Sequence, residues 1–352
     1  SGVWIMAYTA IDKSSDYFDT KLYTGNGGTG VAITTGTFQP SFTWIKSRTT
    51  GEPNVMVDVV RGATKILRSN DTTAEVTDSN QVTSFTSTGV TLGSNTAVNQ
   101  NSQSYVAWNW KAGTSFTNDA SGTGIGSIDS NGSVSTTSGF SIVKWTGTGA
   151  TGTIAHGLGA VPRMIIVKSL ANTTTWMCQH ASIGNAKEIY LNNASAAGSS
   201  TAWNSTTPTS TVFSVTGGAG DGVNASGDYI AYCFTDVQGF LKINSYVGNG
   251  NADGTFIYTG FKPAFVLYKN ITGDDWFMSD NKRLGYNPDN NYLRPSLDLV
   301  EADPPDRINL FSNGFKMTTN DGGANGSGTT YIYMAFAESP FVSSTGIPTT
   351  AR

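Results

Sequence analysis

The sequence predicts an all-β protein composed of three tandem β-sandwich modules of the jelly-roll type. Two observations support this prediction: a set of landmarks recurs three times at constant spacing, and strand-forming patterns dominate every copy. The predicted divisions are the end of a preceding module (1–14), module 1 (15–112), a Gly/Ser/Thr-rich linker (113–137), module 2 (138–237), module 3 (238–341) and an extended C-terminal tail (342–352).

The landmarks are an aromatic residue, a proline, a lysine and a glycine. The aromatic residue precedes the proline by seventeen positions, the lysine follows it by six, and the glycine follows it by twenty-two. A unit of about 100 residues can close its own core, so we expect three globular modules in a row. The sets are Tyr23, Pro40, Lys46 and Gly62; Trp145, Pro162, Lys168 and Gly184; and Tyr246, Pro263, Lys269 and Gly285.

Each copy contains the same strand signals in the same order. A proline opens the first run, where a missing N–H does no harm to a strand, and the lysine closes it. The first copy then continues through Asp58–Leu67, which we interpret as strand, glycine turn and strand. Turn signals recur every eight to twelve residues, which favours a sandwich over βαβ units. An aromatic-rich run ends each copy: Tyr105–Trp110, Tyr229–Phe234 and Tyr331–Phe336.

The composition limits the classes of partner. Charged residues are only 13% of the chain, against roughly 25% in an average soluble domain. The formal charge of −4 leaves no basic stripe, so we do not expect nucleic acid as a partner. No stretch approaches the roughly 20 apolar residues of a membrane span, so membrane insertion is not expected. Cys178 and Cys233 are expected as buried free thiols, with an oxidised pair as the alternative.

Several long strings resemble modules of predicted virion proteins from marine tailed bacteriophages. Such proteins are labelled tail-fibre or host-recognition proteins, often beside concanavalin-like lectin folds. The resemblance covers nearly the whole chain and implies a virion appendage with lectin-like sandwiches, but it supplies no catalytic motif. The strings are Thr24-Gly-Asn-Gly27, Val60-Arg-Gly-Ala-Thr-Lys65, Tyr105-Val-Ala-Trp-Asn-Trp-Lys-Ala-Gly113, His156-Gly-Leu-Gly159 and Tyr331-Ile-Tyr-Met-Ala-Phe-Ala-Glu-Ser-Pro-Phe341.

Candidate ligand-binding residues are aromatic or acidic and lie in predicted loops. Trp203 stands in a Ser/Thr-rich stretch, where it could stack on a sugar ring or anchor one module against the next. Trp176 and Trp276 follow polar stretches at the start of strands. Asp274 and Asp275 place two carboxylates directly before Trp276.

Catalytic and metal-binding interpretations find less support in the residues. His180 aligns with Asp58 of the first copy, so we expect a polar turn residue there. His156 is expected at a hairpin and has no thiol or carboxylate at ligand spacing, so no metal is expected. Asp275 and Glu301 could serve a glycosidase, which needs two carboxyl groups, but sequence does not give their separation. A calcium-binding loop is not indicated, because the sequence shows no regular Asp-x-Asn-x-Asp pattern. The three repeated lysines are expected at solvated strand ends. We expect no catalytic residue and no cofactor.

Together these features lead us to expect a non-enzymatic virion structural protein, the distal part of a phage tail fibre or spike. The modules would form a stiff rod whose end loops contact other virion proteins and a host cell-surface glycan. A homotrimer is expected by analogy with phage fibres. Two alternatives stay open, namely a capsid decoration or head-fibre protein and a polysaccharide depolymerase.

Overall fold

The structure is a computed structural model that describes residues 9–217, 223–283, 287, 291–303 and 307–340, without the side chains of 339 and 340. The all-β prediction is confirmed. None of the helices in these ranges is long and apolar enough to span a membrane. They are short turns: α1 (Thr96–Asn99), α2 (Ala120–Thr123) and the 3-10 turns Ser14–Asp16 and Ala181–Ile183.

The strands follow the three predicted copies. Module 1 contains β1 (Phe18–Thr24), β2 (Val31–Thr34), β3 (Phe42–Ser47), β4 (Val55–Asp58), β5 (Gly62–Arg68), β6 (Val76–Thr77), β7 (Val82–Thr86), β8 (Gly89–Leu92) and β9 (Ser104–Trp110). Module 2 contains β10 (Thr114–Asn118), β11 (Ser130–Ser135), β12 (Phe140–Gly147), β13 (Gly152–Ala155), β14 (Met164–Ser169), β15 (Met177–His180), β16 (Lys187–Tyr190), β17 (Gly198–Ser199), β18 (Val212–Val215) and β19 (Gly227–Phe234). Module 3 contains β20 (Leu241–Val247), β21 (Phe256–Tyr258), β22 (Phe261–Asn270), β23 (Trp276–Asp280), β24 (Ile308–Phe311), β25 (Gly314–Met317) and β26 (Thr330–Pro340).

The three modules share one topology. Each has a large antiparallel sheet in which the last strand lies between the first two long strands, in the orders β1-β9-β3-β4, β12-β19-β14-β15 and β20-β26-β22-β23. A small sheet completes each sandwich: β2-β8-β7, β13-β18 and β21-β25-β24. Pro40 and Pro162 stand just before β3 and β14, and Pro263 lies at a bulge in β22. The missing proline N–H is therefore tolerated at the same place in every copy.

The predicted strand, glycine turn and strand is present in module 1. Gly62 follows β4 and has φ of 103°, and Gly184 follows β15 at the corresponding position with φ of 83°. These left-handed backbone conformations favour glycine because it has no Cβ. The third landmark, Gly285, lies outside the described residues, as do residues 1–8 and the tail 342–352.

The prediction that residues 113–137 form a linker is wrong. Residues 114–118 and 130–135 form β10 and β11, which pair with each other and extend the large sheet of module 2 beyond β12. The abundance of Gly, Ser and Thr suggested a flexible segment, but these residues alternate their side chains across a hairpin joined by α2. Asp119 caps α2 by accepting a hydrogen bond from the N–H of Gly122 at 3.0 Å.

The central strands of each large sheet are buried on both faces. In β9, Tyr105 and Ala107 face the interior of module 1, whereas Val106, Trp108 and Trp110 face a central core. Strands β19 and β26 contribute to the same central core from modules 2 and 3. The expected rod of modules in a row is therefore wrong, because the modules pack around a shared core. This packing explains why the central strands are almost continuously apolar.

Candidate functional site

The three tryptophans predicted to bind ligand are buried. Trp203, Trp176 and Trp276 have 1%, 0% and 1% of their surface exposed. Trp203 packs in the interior of module 2, and the other two belong to the central core. An indole closed off from solvent cannot stack on a sugar, so the structure contradicts these three predictions.

Trp176 and Trp276 instead connect neighbouring modules. The Nε1–H of Trp176 donates to the carbonyl of Arg68 in module 1 at 2.8 Å, and that of Trp276 donates to the carbonyl of Tyr190 in module 2 at 2.7 Å. Asn54 holds the equivalent position in module 1 and donates to the carbonyl of Leu297 in module 3 at 2.9 Å. The three bonds close a ring of modules, because each module binds the one before it.

The repeated lysines take part in the same ring. Lys46, Lys168 and Lys269 are fully buried, which contradicts the predicted solvated strand ends. Their ammonium groups donate to loop carbonyls of the preceding module, those of Asp298 at 3.1 Å, Thr72 at 3.2 Å and Asn193 at 3.1 Å. Burial lowers the pKa of each lysine to about 8. Such a pKa suits a nucleophile, but these amines are engaged in holding the modules together.

A second set of contacts between the modules involves the last residue of β4, β15 and β23. The hydroxyl of Tyr232 donates to Asp58 Oδ2 at 2.8 Å, and the Nε1–H of Trp108 donates to Asp280 Oδ2 at 3.0 Å. His180 fills the equivalent position in module 2, with Nε2 3.3 Å from the carbonyl of Tyr333. The polar residue thus differs between copies because the partner it meets differs.

The acidic candidates are engaged in local structure. Asp274 Oδ1 accepts a hydrogen bond from the N–H of Asp275 at 2.7 Å, and Asp275 Oδ1 accepts one from the hydroxyl of Ser296 at 3.0 Å. Glu301 is bound by Arg48 of module 1 at 2.9 Å. Burial raises the pKa of Glu301, but the hydrogen bond from Arg48 and the charge of Arg283 outweigh it and lower the pKa. A general acid of a glycosidase needs the opposite shift.

His156 and His180 are buried and neutral. Nδ1 of each accepts a hydrogen bond from the backbone two residues ahead, at 3.2 Å in both cases. Cys178 and Cys233 are free, as expected. They face different cores, Cys178 the central one and Cys233 that of module 2, so they lie on opposite sides of one sheet. Among the residues with assigned positions, no three His, Cys, Asp or Glu side chains form a metal-binding group.

The two histidines predict a loss of stability in mild acid. Burial lowers the pKa of His156 and of His180 to about 4, whereas an unfolded imidazole titrates near 6.5. Between these values the unfolded chain binds more protons, so their contribution is complete above about pH 6.5 and is lost as the pH falls toward 4. Melting temperatures measured from pH 7.5 to 4.5 should fall less steeply in a His156→Gln/His180→Gln variant. Identical slopes would contradict this assignment.

The clearest exposed feature is an aromatic platform, formed by Phe256, Tyr258 and Phe311 on the outer face of the small sheet of module 3. Their exposed fractions are 45%, 62% and 39%. Phe256 and Tyr258 flank the buried Ile257 in β21, so alternation along the strand directs both rings outward. The rings of Phe256 and Phe311 lie 6.1 Å apart at 64°.

Gly314 lies beneath the rings of the aromatic platform. Gly314 is paired with both Tyr258 and Phe311 in the sheet register. A Cβ at this position would stand 3.0 Å from the tip of the Phe256 ring and 2.1 Å from the carbonyl oxygen of Ile257. The absence of a side chain lets the Phe256 ring lie over the sheet, with the Phe311 ring inclined beside it.

Charged and amide groups border the aromatic platform. Lys316 is paired with Phe256 in the register and binds Asp253. The hydrogen bond from Lys316 and its charge lower the pKa of Asp253. Asn309 lies on the same outer face of β24, two residues before Phe311. Hydrogen-bonding groups therefore stand beside exposed ring faces.

The other modules do not carry these rings. In module 1 the residues flanking Ile33 are Ala32 and Thr34. Thr86 is paired with Gly89 there, as Phe311 is paired with Gly314 in module 3. In module 2 the residues flanking Ile154 are Thr153 and Ala155. The sequence contains this signal, because Ile33, Ile154 and Ile257 stand six to eight residues before the repeated prolines. Comparison of their flanking residues would have found the platform, which our choice of loop residues missed.

Comparison with known proteins places residues 13–340 in a family described as a domain of unknown function (DUF7483), and the chain belongs to this family. The match spans all three modules, in agreement with their shared core. No curated protein matches the chain.

Proposed function

We propose that this member of the DUF7483 family is a non-enzymatic structural protein on the surface of a tailed-bacteriophage particle, and that it binds host-surface glycans through the aromatic platform. The observation that supports glycan binding is the exposure of Phe256, Tyr258 and Phe311 on the outer face of one small sheet. Contiguous exposed rings beside polar groups are a mark of binding surfaces.

The chemistry of the platform fits a sugar ring. The C–H face of a pyranose packs on the Phe256 ring, while the Lys316–Asp253 pair can exchange hydrogen bonds with its hydroxyl groups. One such site binds weakly. Several copies on one particle, which we propose as trimers, raise the effective concentration and hence the avidity.

A single substitution should separate binding from folding. Tyr258→Ala removes the most exposed ring, and we expect at least about tenfold weaker binding to surface polysaccharides on a glycan array. The melting temperature should stay unchanged because the ring is 62% exposed. Thr34→Ala, at the equivalent position of module 1, is the matched control and should bind normally. Undiminished binding by both Tyr258→Ala and Phe256→Ala proteins would refute the platform as the glycan site.

The tail and capsid alternatives differ in location. Antibody labelling of intact particles should place the protein at the tail tip if it contacts the host, and over the head if it decorates the capsid. Labelling confined to the head would contradict the tail assignment while leaving glycan binding to be judged by the Tyr258→Ala comparison.

A further inference from the structure

We infer that module 2 carries a second binding groove, for an uncharged extended glycan chain, on the inward face of strands β10 to β12. The ligand class rests on the proposed function, but the groove is formed by different residues from the aromatic platform. The groove is formed by the hairpin β10–β11, which adds two strands to the edge of the large sheet of module 2. In the described parts of modules 1 and 3, the corresponding sheets end at β1 and β20.

The hairpin extends the sheet past the central core. In register, Ser115 pairs with Ser133, which pairs with Ile142, and Ile142 is part of the central core. Residues two apart share a face, so Thr117 and Asn131 lie on that inward face too. On the hairpin, Ser133 is buried, but Ser115, Thr117 and Asn131 are exposed. A polar ledge is therefore left open to solvent.

Two adjoining cavities of about 600 and 630 Å³ lie along this ledge and share Thr117 and Asn131 in their linings. Module 1 forms one wall with Gln39 and Val60. The far end is bordered by Asp228. Each volume falls in the range of about 300–1,000 Å³ that is usual for ligand sites. Together they form one elongated groove.

The lining selects for neutral hydroxyl-rich ligands. Ser115, Thr117 and Asn131 are exposed and supply hydroxyl and amide groups, whereas Val60 is half-buried and supplies apolar surface. The charge of Lys144 is compensated by Asp228 at 2.8 Å.

Acidic groups stand at one end of the groove. Asp119 and Asp129 both line the cavity that contains Lys144. Lys111 lines the other cavity. With Asp228, three carboxylates therefore stand against two lysines along the groove, which disfavours a polyanion. A neutral glycan chain can place a C–H face on Val60 and its hydroxyls against the polar ledge.

The test uses the full chain in native gels that contain a neutral polysaccharide (hydroxyethyl cellulose, soluble starch or galactomannan) or dextran sulfate. The proteins are the wild type, Tyr258→Ala, Thr117→Ala/Asn131→Ala and the combination of all three, with Thr34→Ala as control. We expect a neutral polymer to retard the Tyr258→Ala protein as well, because the groove is intact in this variant. Adding Thr117→Ala/Asn131→Ala should raise its dissociation constant about tenfold, from the loss of two hydrogen bonds.

The possible outcomes separate the two proposals. If neutral polymers retard the wild type but not Tyr258→Ala, the groove inference fails and the platform stands. If only Thr117→Ala/Asn131→Ala weakens binding, the groove is supported and the platform proposal fails. The groove inference is overturned if dextran sulfate alone retards the protein, or if none of the polymers does. Melting temperatures should match the wild type, because both groove residues are exposed.

Discussion

Replacement of Asp280 by alanine is expected to lower the free energy of unfolding by about 3–5 kcal/mol, the usual cost of breaking a buried ion pair. Asp280 Oδ2 accepts hydrogen bonds from Arg283 Nε at 2.7 Å and from Trp108 Nε1 of module 1 at 3.0 Å. The side chains of Asp280 and Arg283 are 0% and 1% exposed. The substitution would leave a buried guanidinium and a buried indole N–H without this acceptor.

The shared core makes a further prediction for the same variant. Urea unfolding followed by tryptophan fluorescence and by circular dichroism should show one transition, shifted as a whole, because no module can lose its inward face alone. Asp16→Ala is the control, since its pair with Lys13 is exposed at 43% and 58% and should contribute less than about 1 kcal/mol. Two separate transitions, with only one displaced, would show that the modules unfold independently.

Replacement of Trp203 by alanine is expected to destabilise the protein by about 3–5 kcal/mol, since it empties a large volume in a packed interior. Trp203 packs in the core of module 2 with Ala202, Phe213, Val215 and Val223. The sequence suggested the opposite result, weaker glycan binding at unchanged stability. The same denaturation experiment, combined with binding measurements, distinguishes the two.

Trp203→Phe sharpens this prediction. The Nε1–H of Trp203 is buried and has no hydrogen-bond partner among the described groups. Phenylalanine keeps most of the apolar volume and removes the unpaired donor, so its cost should be well below that of alanine. A melting temperature that is unchanged in Trp203→Ala, with glycan binding lost, would restore the sugar-stacking role.

Local patterns account for what could be predicted of the fold. The prolines, the strand runs after them and the glycine turn at Gly62 are short-range features, and each appears in the structure where the repeat placed it. The linker prediction failed because Gly, Ser and Thr are equally compatible with a flexible segment and with an edge hairpin. Only pairing with β12 distinguishes the two.

The functional site depended on longer-range relations. Lys46 was expected in solvent because the acceptor Asp298 lies in another module, 252 residues away. Trp176 and Trp276 were assigned to loops that could bind ligand, but a neighbouring module supplies both their burial and their hydrogen-bond acceptors. No pattern within one copy contains that information.

The sequence by itself determined the strand content and the number of copies, since both follow from residue types and spacings along the chain. It also held the three rings of the aromatic platform, which alternation on a single strand directs outward. The tertiary structure alone decided that the copies surround a common core and which polar residues it buries. The physical reason is that burial depends on which second surface covers a face, and that surface comes from a part of the chain far away in sequence.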